Sequence, residues 1–181
     1  MARNEDINNQ ETVLAQVWQL RSFLWEFVNA VRSSPDKSLK DFYSDWCKHM
    51  GMEESYNVFS QGVYITMLYG MIVYPKEAFF KQIPDNIPFN NDAWGNPTIE
   101  EWTDSSKRKD VKNLTTRLRN SLNHNKMRIE SSKEGYSFIF EDVNIRKNND
   151  RVKIRFSSRE KLDRYMHSLA IGMIKKEWQL Q

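Results

Sequence analysis

Within eight residues, Leu118-Arg119-Asn120-Ser121-Leu122-Asn123-His124-Asn125, the chain brings together a guanidinium, an imidazole and three carboxamides. Arginine is a permanent cation with a planar fork that suits a phosphate or a pentavalent phosphorane. Histidine is the side chain suited to moving protons near neutral pH. RNA carries its own nucleophile, the 2′-hydroxyl. Cleaving it needs a proton shuttle and charge stabilisation, not necessarily a metal. One His and one Arg are the minimum set for that chemistry. Leu114, Leu118 and Leu122 recur every four residues, so one helical face packs inward here. On a regular helix Arg119 and His124 point about 140° apart. They converge only if His124 lies in the last turn or just past it, where it meets the negative end of the helix dipole.

The surrounding charge points the same way. Residues 107–128 hold eight Lys or Arg and one acid, Asp110, while the whole chain carries only +3. Such a segment attracts polyanions. Lys112, Arg117, Lys126 and Arg128 are the expected contacts to an RNA backbone. A solvated helix face explains the same charges equally well.

The elements that must position these residues are mainly helical. With 181 residues, 39% hydrophobic composition and six tryptophans, the chain is read as one folded domain, 1–181, with a flexible N-terminus at 1–10. Residues 11–33 form a long amphipathic helix with the stripe Val13, Val17, Leu20, Leu24, Phe27 and Val31. A second helix starts from Ser34 as N-cap and Pro35, and ends at Met50 before Gly51. A third, apolar nearly all round, covers 54–74. Residues 83–97 form a long Pro- and Asn-rich loop anchored by Ile87, Phe89 and Trp94. Thr98-Ile-Glu-Glu101 reads as a capping box that opens a helical stretch, resuming after Ser106 and running to His124. The period then changes to two. Tyr136, Phe138, Phe140 and Val152, Ile154, Phe156 read as an antiparallel hairpin, with Met127 and Ile129 as a further strand. Ser157-Ser158-Arg159-Glu160 reads as a second capping box that opens the final helix, with Leu162, Met166, Leu169, Met173 and Trp178 on one side.

Other chemistries find little support. One cysteine, Cys47, excludes an internal disulfide and suggests a reducing compartment, so a cytoplasmic protein is expected. The longest apolar stretch, Val63 to Tyr74, is too short to span a bilayer, and the N-terminus lacks a signal-peptide core. The three histidines are far apart in sequence and no Cys pair or Gly-rich phosphate loop exists, so no metal or cofactor is expected. His49 reads as a helix-end residue, His167 as surface, and Cys47 as packing.

Arg119, then Asn120, then His124 resembles the signature of the HEPN superfamily, an Arg followed after four to six residues by a His, often with a polar residue next to the Arg. The helical bundle, the extended segment and a last helix entered through Ile154-Arg155-Phe156-Ser157-Ser158-Arg159-Glu160 are similar to stand-alone and plasmid-borne members. The resemblance implies a HEPN-like helical bundle with a small hairpin before the C-terminal helix. It implies a homodimer whose two motifs face each other as one composite site. The implied activity is metal-independent RNA cleavage in a toxin–antitoxin or antiviral system, leaving a 2′,3′-cyclic phosphate. His124 would be the general acid/base, Arg119 would stabilise the transition state, and Asn120 would orient one of them. An antitoxin or other defence-system protein is the implied partner. Some HEPN toxins carry a modifiable Tyr two residues past the His. Lys126 stands there in this chain. The alternatives are a non-catalytic RNA- or nucleotide-binding module and a dimerisation subunit of a larger defence complex.

Overall fold

The computed structural model describes residues 10–54, 61–103, 107–133, 135–144 and 150–178. They are mainly helical, with one four-stranded antiparallel sheet. The chain divides into two compact units, 1–67 and 68–181.

In the first unit, α1 (Gln10–Ser33) and α2 (Leu39–His49) pair around Phe42, Trp46 and Cys47. Leu20, Phe23 and Ala30 of α1 cover them, and the Phe23 ring meets Phe42 and Trp46 edge-on. The inward stripe is therefore the partly buried Leu20, Phe23 and Ala30, with Phe27, expected inside, 36% exposed but still edge-on to the Phe42 ring. Leu24 and Val31, expected inside, are 50% and 55% exposed. The start of α2 also differs from expectation. Ser38, not Ser34, is the N-cap: its hydroxyl accepts from Asp41 N at 3.1 Å and donates to the Asp41 carboxylate at 2.6 Å. That reciprocal pair also sets an anion at the positive end of the helix, which Ser34 had no partner to do. Residues 34–37 instead form a turn closed by Lys37 N to Ser34 O. The C-terminus is as expected. Gly51 adopts φ +65°, and Gly51 N to Lys48 O and Met52 N to Cys47 O close a Schellman motif. His49 is the last helical residue and pairs with Glu26 at 3.3 Å, and Cys47 is fully buried. Of the expected third helix, α3 (Gln61–Leu68) is described, with Val63 and Tyr64 buried; Val58 and Phe59 lie outside the described residues.

The second unit begins with a π-turn, Tyr69–Val73, that runs into α4 (Tyr74–Phe79). The helical path thus continues past residue 74. Pro75 follows the π-turn directly, and an irregular hydrogen-bonding ladder of that kind is where a continuing helix accommodates the N–H that proline lacks. The loop after it is tied down by buried Ile83, Phe89 and Trp94. Gly95 closes its short 3-10 turn at φ +73°, and a Cβ there would lie 1.9 Å from the Lys161 carbonyl oxygen.

Thr98–Trp102 is a strand, β1, not the start of a helix. It pairs antiparallel with β4 (Asp150–Phe156), Ile99 opposite Ile154 and Trp102 opposite Val152. A capping box is a local signal, and an edge of unpaired backbone on β4 outweighs it. The helix α5 (Val111–Asn123) starts later, from Asp110, whose carboxylate accepts from Asn113 N at 2.8 Å. β2 (Met127–Ser132) and β3 (Gly135–Asn144) follow, and the sheet order is β1-β4-β3-β2. The expected pair of strands is its centre, with Phe138 opposite Phe156 and Phe140 opposite Ile154. One sheet face buries Phe138, Phe140, Val152, Ile154 and Phe156.

α6 (Arg159–Lys175) is capped by Ser158, which accepts from Lys161 N. The N3 residue is therefore Lys161, and Ser157 with Glu160 makes no capping box. Leu162, Tyr165, Met166, Leu169 and Met173 are buried, each worth about 1.5–3 kcal/mol of transfer free energy. Trp178 is not on the helix. It folds back so closely that a Cβ on Gly172 would lie 2.5 Å from its ring.

Candidate functional site

The end of α5 is built as a Schellman motif. Asn125 takes the left-handed position at φ +51°, which Asn tolerates better than most residues. Asn125 N then donates to Leu122 O at 3.0 Å and Lys126 N to Ser121 O at 2.8 Å. Two further tethers come from outside the helix. The Tyr69 hydroxyl, from the π-turn, donates to Leu122 O at 2.7 Å. From β3, Glu141 N is shared between Lys126 O and Ser121 Oγ, both at 3.0 Å. Burial pushes the Tyr69 phenol pKa up, keeping the hydroxyl a donor. His124 is the C-cap between these tethers. Its side chain is exposed and makes no hydrogen bond or ion pair with a described residue. The backbone is fixed and the imidazole is left open.

Arg119 is held more closely. Its Nη1 donates to Asn120 Oδ1 at 2.9 Å, and its Nη2 pairs with Glu77 of α4. Its Nε is buried without a partner among the described residues. Asn120 turns its NH2 to Asp142 on β3, at 3.1 Å. Asp142 also accepts from Arg117 Nη1 at 2.9 Å, while Arg117 Nη2 donates to Asp150 at 2.5 Å. All three members of that ion triad are at most 10% exposed at the side chain. Burial works against the Arg117 charge, but the hydrogen bonds it donates to Asp142 and Asp150 outweigh it and raise the guanidinium pKa.

The basic segment is therefore not a free cationic strip. Arg117, expected on RNA, belongs to the core because two carboxylates there need a cation. Lys112 sits on Asp85 at 2.8 Å and over the Phe80 ring at 5.1 Å. Arg128 reaches Glu141 at 2.7 Å and Glu130 at 3.3 Å. With Glu100, Lys153 and Arg155 these charges form a lattice on the outer sheet face, under which Ile139 is fully buried. Lys126 is exposed, as are Lys107, Arg108 and Lys109, and none of the four has an ion pair among the described residues. His167 is exposed on α6. Among the described residues, no three His, Cys, Asp or Glu side chains are grouped to hold a metal ion.

Sequence reasoning missed Glu77, Tyr69, Asp142 and Asp150. One signal was present: strand alternation puts Asp142 on the same face as Phe138 and Phe140. An acid at that parity must find a buried cation.

A family model described as HEPN pEK499 p136 matches residues 9–172. The chain belongs to that family. No curated protein and no solved structure matches it. HEPN membership suggests a nuclease or an RNA-related module of defence or toxin systems, and HEPN modules commonly dimerise and bind RNA. No helix among the described residues is long and apolar enough to cross a membrane.

Proposed function

We propose that this HEPN protein is a metal-independent endoribonuclease of a defence or toxin-type system, acting in the cytoplasm as a homodimer with a composite site. The supporting observation is the contrast along one helix: Arg119 is oriented from within by Asn120, while His124 stands open at the C-cap. In the reaction the RNA 2′-oxygen bonds to phosphorus and the P–O5′ bond breaks. The 2′-hydroxyl proton passes to an imidazole, and a proton from an imidazole goes to the departing 5′-oxygen. The products are a 2′,3′-cyclic phosphate and a 5′-hydroxyl. Arg119 neutralises the phosphorane, its half-exposed partner Glu77 giving way to the phosphate. Lys126 tracks the backbone. One HEPN-like domain embracing both units, and restraint by an antitoxin or other defence-system partner, belong to the same reading.

The test is cleavage of mixed RNA in EDTA by wild type and by His124→Ala. Cleavage by wild type alone, with both proteins folded, supports the proposal. Equal cleavage by both would sink it. The hold of Glu77 on Arg119 favours a second reading, a non-catalytic RNA- or nucleotide-binding module. That reading predicts binding that weakens steeply with salt and no cleavage by either protein.

A further inference from the structure

Asp142 lies on β3, well outside the Arg119–His124 motif, yet it touches the motif directly. The chemistry of the contact is directional. A carboxylate only accepts hydrogen bonds and a guanidinium only donates. Asn120 sits between one of each. With Asp142 taking its NH2 at 3.1 Å, the Asn120 carbonyl oxygen must face the other way, and there it accepts from Arg119 Nη1 at 2.9 Å. Asp142 is itself 6% exposed and fixed by Arg117 at 2.9 Å, so it has no rotational freedom to pass on.

We propose that Asp142 is a positioning residue for RNA cleavage, setting the direction of the Arg119 guanidinium through the carboxamide of Asn120. This rests on the ribonuclease reading above. Asp142 makes no contact with substrate. It aligns a group that does, and small misplacements of such groups cost up to about a hundredfold in rate. Asp142→Asn presents a group that both donates and accepts, so the Asn120 carboxamide loses its enforced orientation.

Asp150 supplies the control. It grips the other end of Arg117 at 2.5 Å, shares the same burial, and makes no hydrogen bond to Asn120. Asp142→Asn and Asp150→Asn both weaken the buried ion triad. Only the first touches the motif. The experiment is the kcat and KM of RNA cleavage for wild type and both variants, with urea unfolding of each and the NMR signals of the Asn120 side-chain NH2. The expected result is a kcat at least tenfold lower in Asp142→Asn with KM within about threefold, and Asp150→Asn within twofold of wild type. The Asn120 NH2 signals shift in the first variant only. Equal loss of kcat in both variants, or in neither, overturns the inference while the ribonuclease reading stands. Absence of cleavage by wild type overturns the ribonuclease reading. The Asn120 signals then decide by themselves whether Asp142 orients the carboxamide, and unshifted signals in Asp142→Asn overturn that.

Discussion

Replacing Arg117 with Met removes the cation from a buried triad and leaves its shape largely filled. Asp142 and Asp150 remain, with side chains only 6% and 9% exposed and no counter-charge between them. Breaking a buried ion pair from one side typically costs about 3–5 kcal/mol, because a charge is left desolvated and unpaired. A domain of ordinary stability holds only about 5–15 kcal/mol, so roughly a fifth or more of it is at stake. With a urea slope of about 2 kcal/mol per molar, the midpoint falls by about 1.5–2.5 M. The assay is equilibrium urea unfolding at pH 7, followed by tryptophan fluorescence. A midpoint shift under about 0.5 M, equivalent to about 1 kcal/mol, would refute the reasoning. A second arm tests the mechanism. Neutralising the triad as Arg117→Met, Asp142→Asn and Asp150→Asn together leaves no orphaned charge, and more than half of the lost midpoint returns. If the triple variant is weaker than the single one, uncompensated charge is not the cause.

Three further outcomes follow from the structure. Gly95→Ala forces a Cβ onto the Lys161 carbonyl at a left-handed position and is expected to cost about 2–4 kcal/mol in urea unfolding; a loss under about 1 kcal/mol contradicts that packing. Tyr69→Phe deletes only the hydroxyl on Leu122 O, so amide exchange at Asn125 and Lys126 is expected to speed up by about tenfold, the worth of one hydrogen bond; unchanged exchange rules out the tether. Hydrogen bonds from Lys153 and then Arg155 hold Glu100 below the ordinary carboxylate range, and Arg155 foremost, then Arg128, does the same for Glu130. Their contribution is present above the ordinary glutamate value of about 4.3 and is lost as pH falls through the lowered one. Melting temperatures should therefore drop less between pH 6 and pH 3 in a Glu100→Gln, Glu130→Gln variant than in wild type, and the difference should shrink in high salt; identical drops exclude the lattice as a source of acid sensitivity.

What could be read in advance was whatever depends on period and spacing. The leucines at 114, 118 and 122 gave α5 its buried face, and the aromatic alternation gave β3 and β4. Gly51 marked the end of α2 correctly, because a left-handed C′ residue is a local requirement. Local signals failed where a distant strand or carboxylate competed with them. Thr98 to Glu101 carries a helix-start pattern, but β4 offers backbone partners that no short-range pattern contains. Ser34 and Pro35 read as a cap, but Ser38 has Asp41 to answer it. The site shows the same division. Arg119, Asn120 and His124 stood out by type and order, and the helix does end at His124 as the chemistry required. Their environment did not stand out. The charge of residues 107–128 looked like a surface for RNA, yet Glu77, Asp85, Glu130, Glu141, Asp142 and Asp150 meet much of it. Those acids lie up to 42 residues away in sequence, the separation of Glu77 from Arg119, and only the fold brings them in.

The most direct test of the central claim is the end chemistry of RNA fragments produced in EDTA by wild type beside His124→Ala. Wild type is expected to leave 2′,3′-cyclic phosphate and 5′-hydroxyl ends, and the variant none. Ends of another kind, or cyclic ends from both proteins, would contradict it.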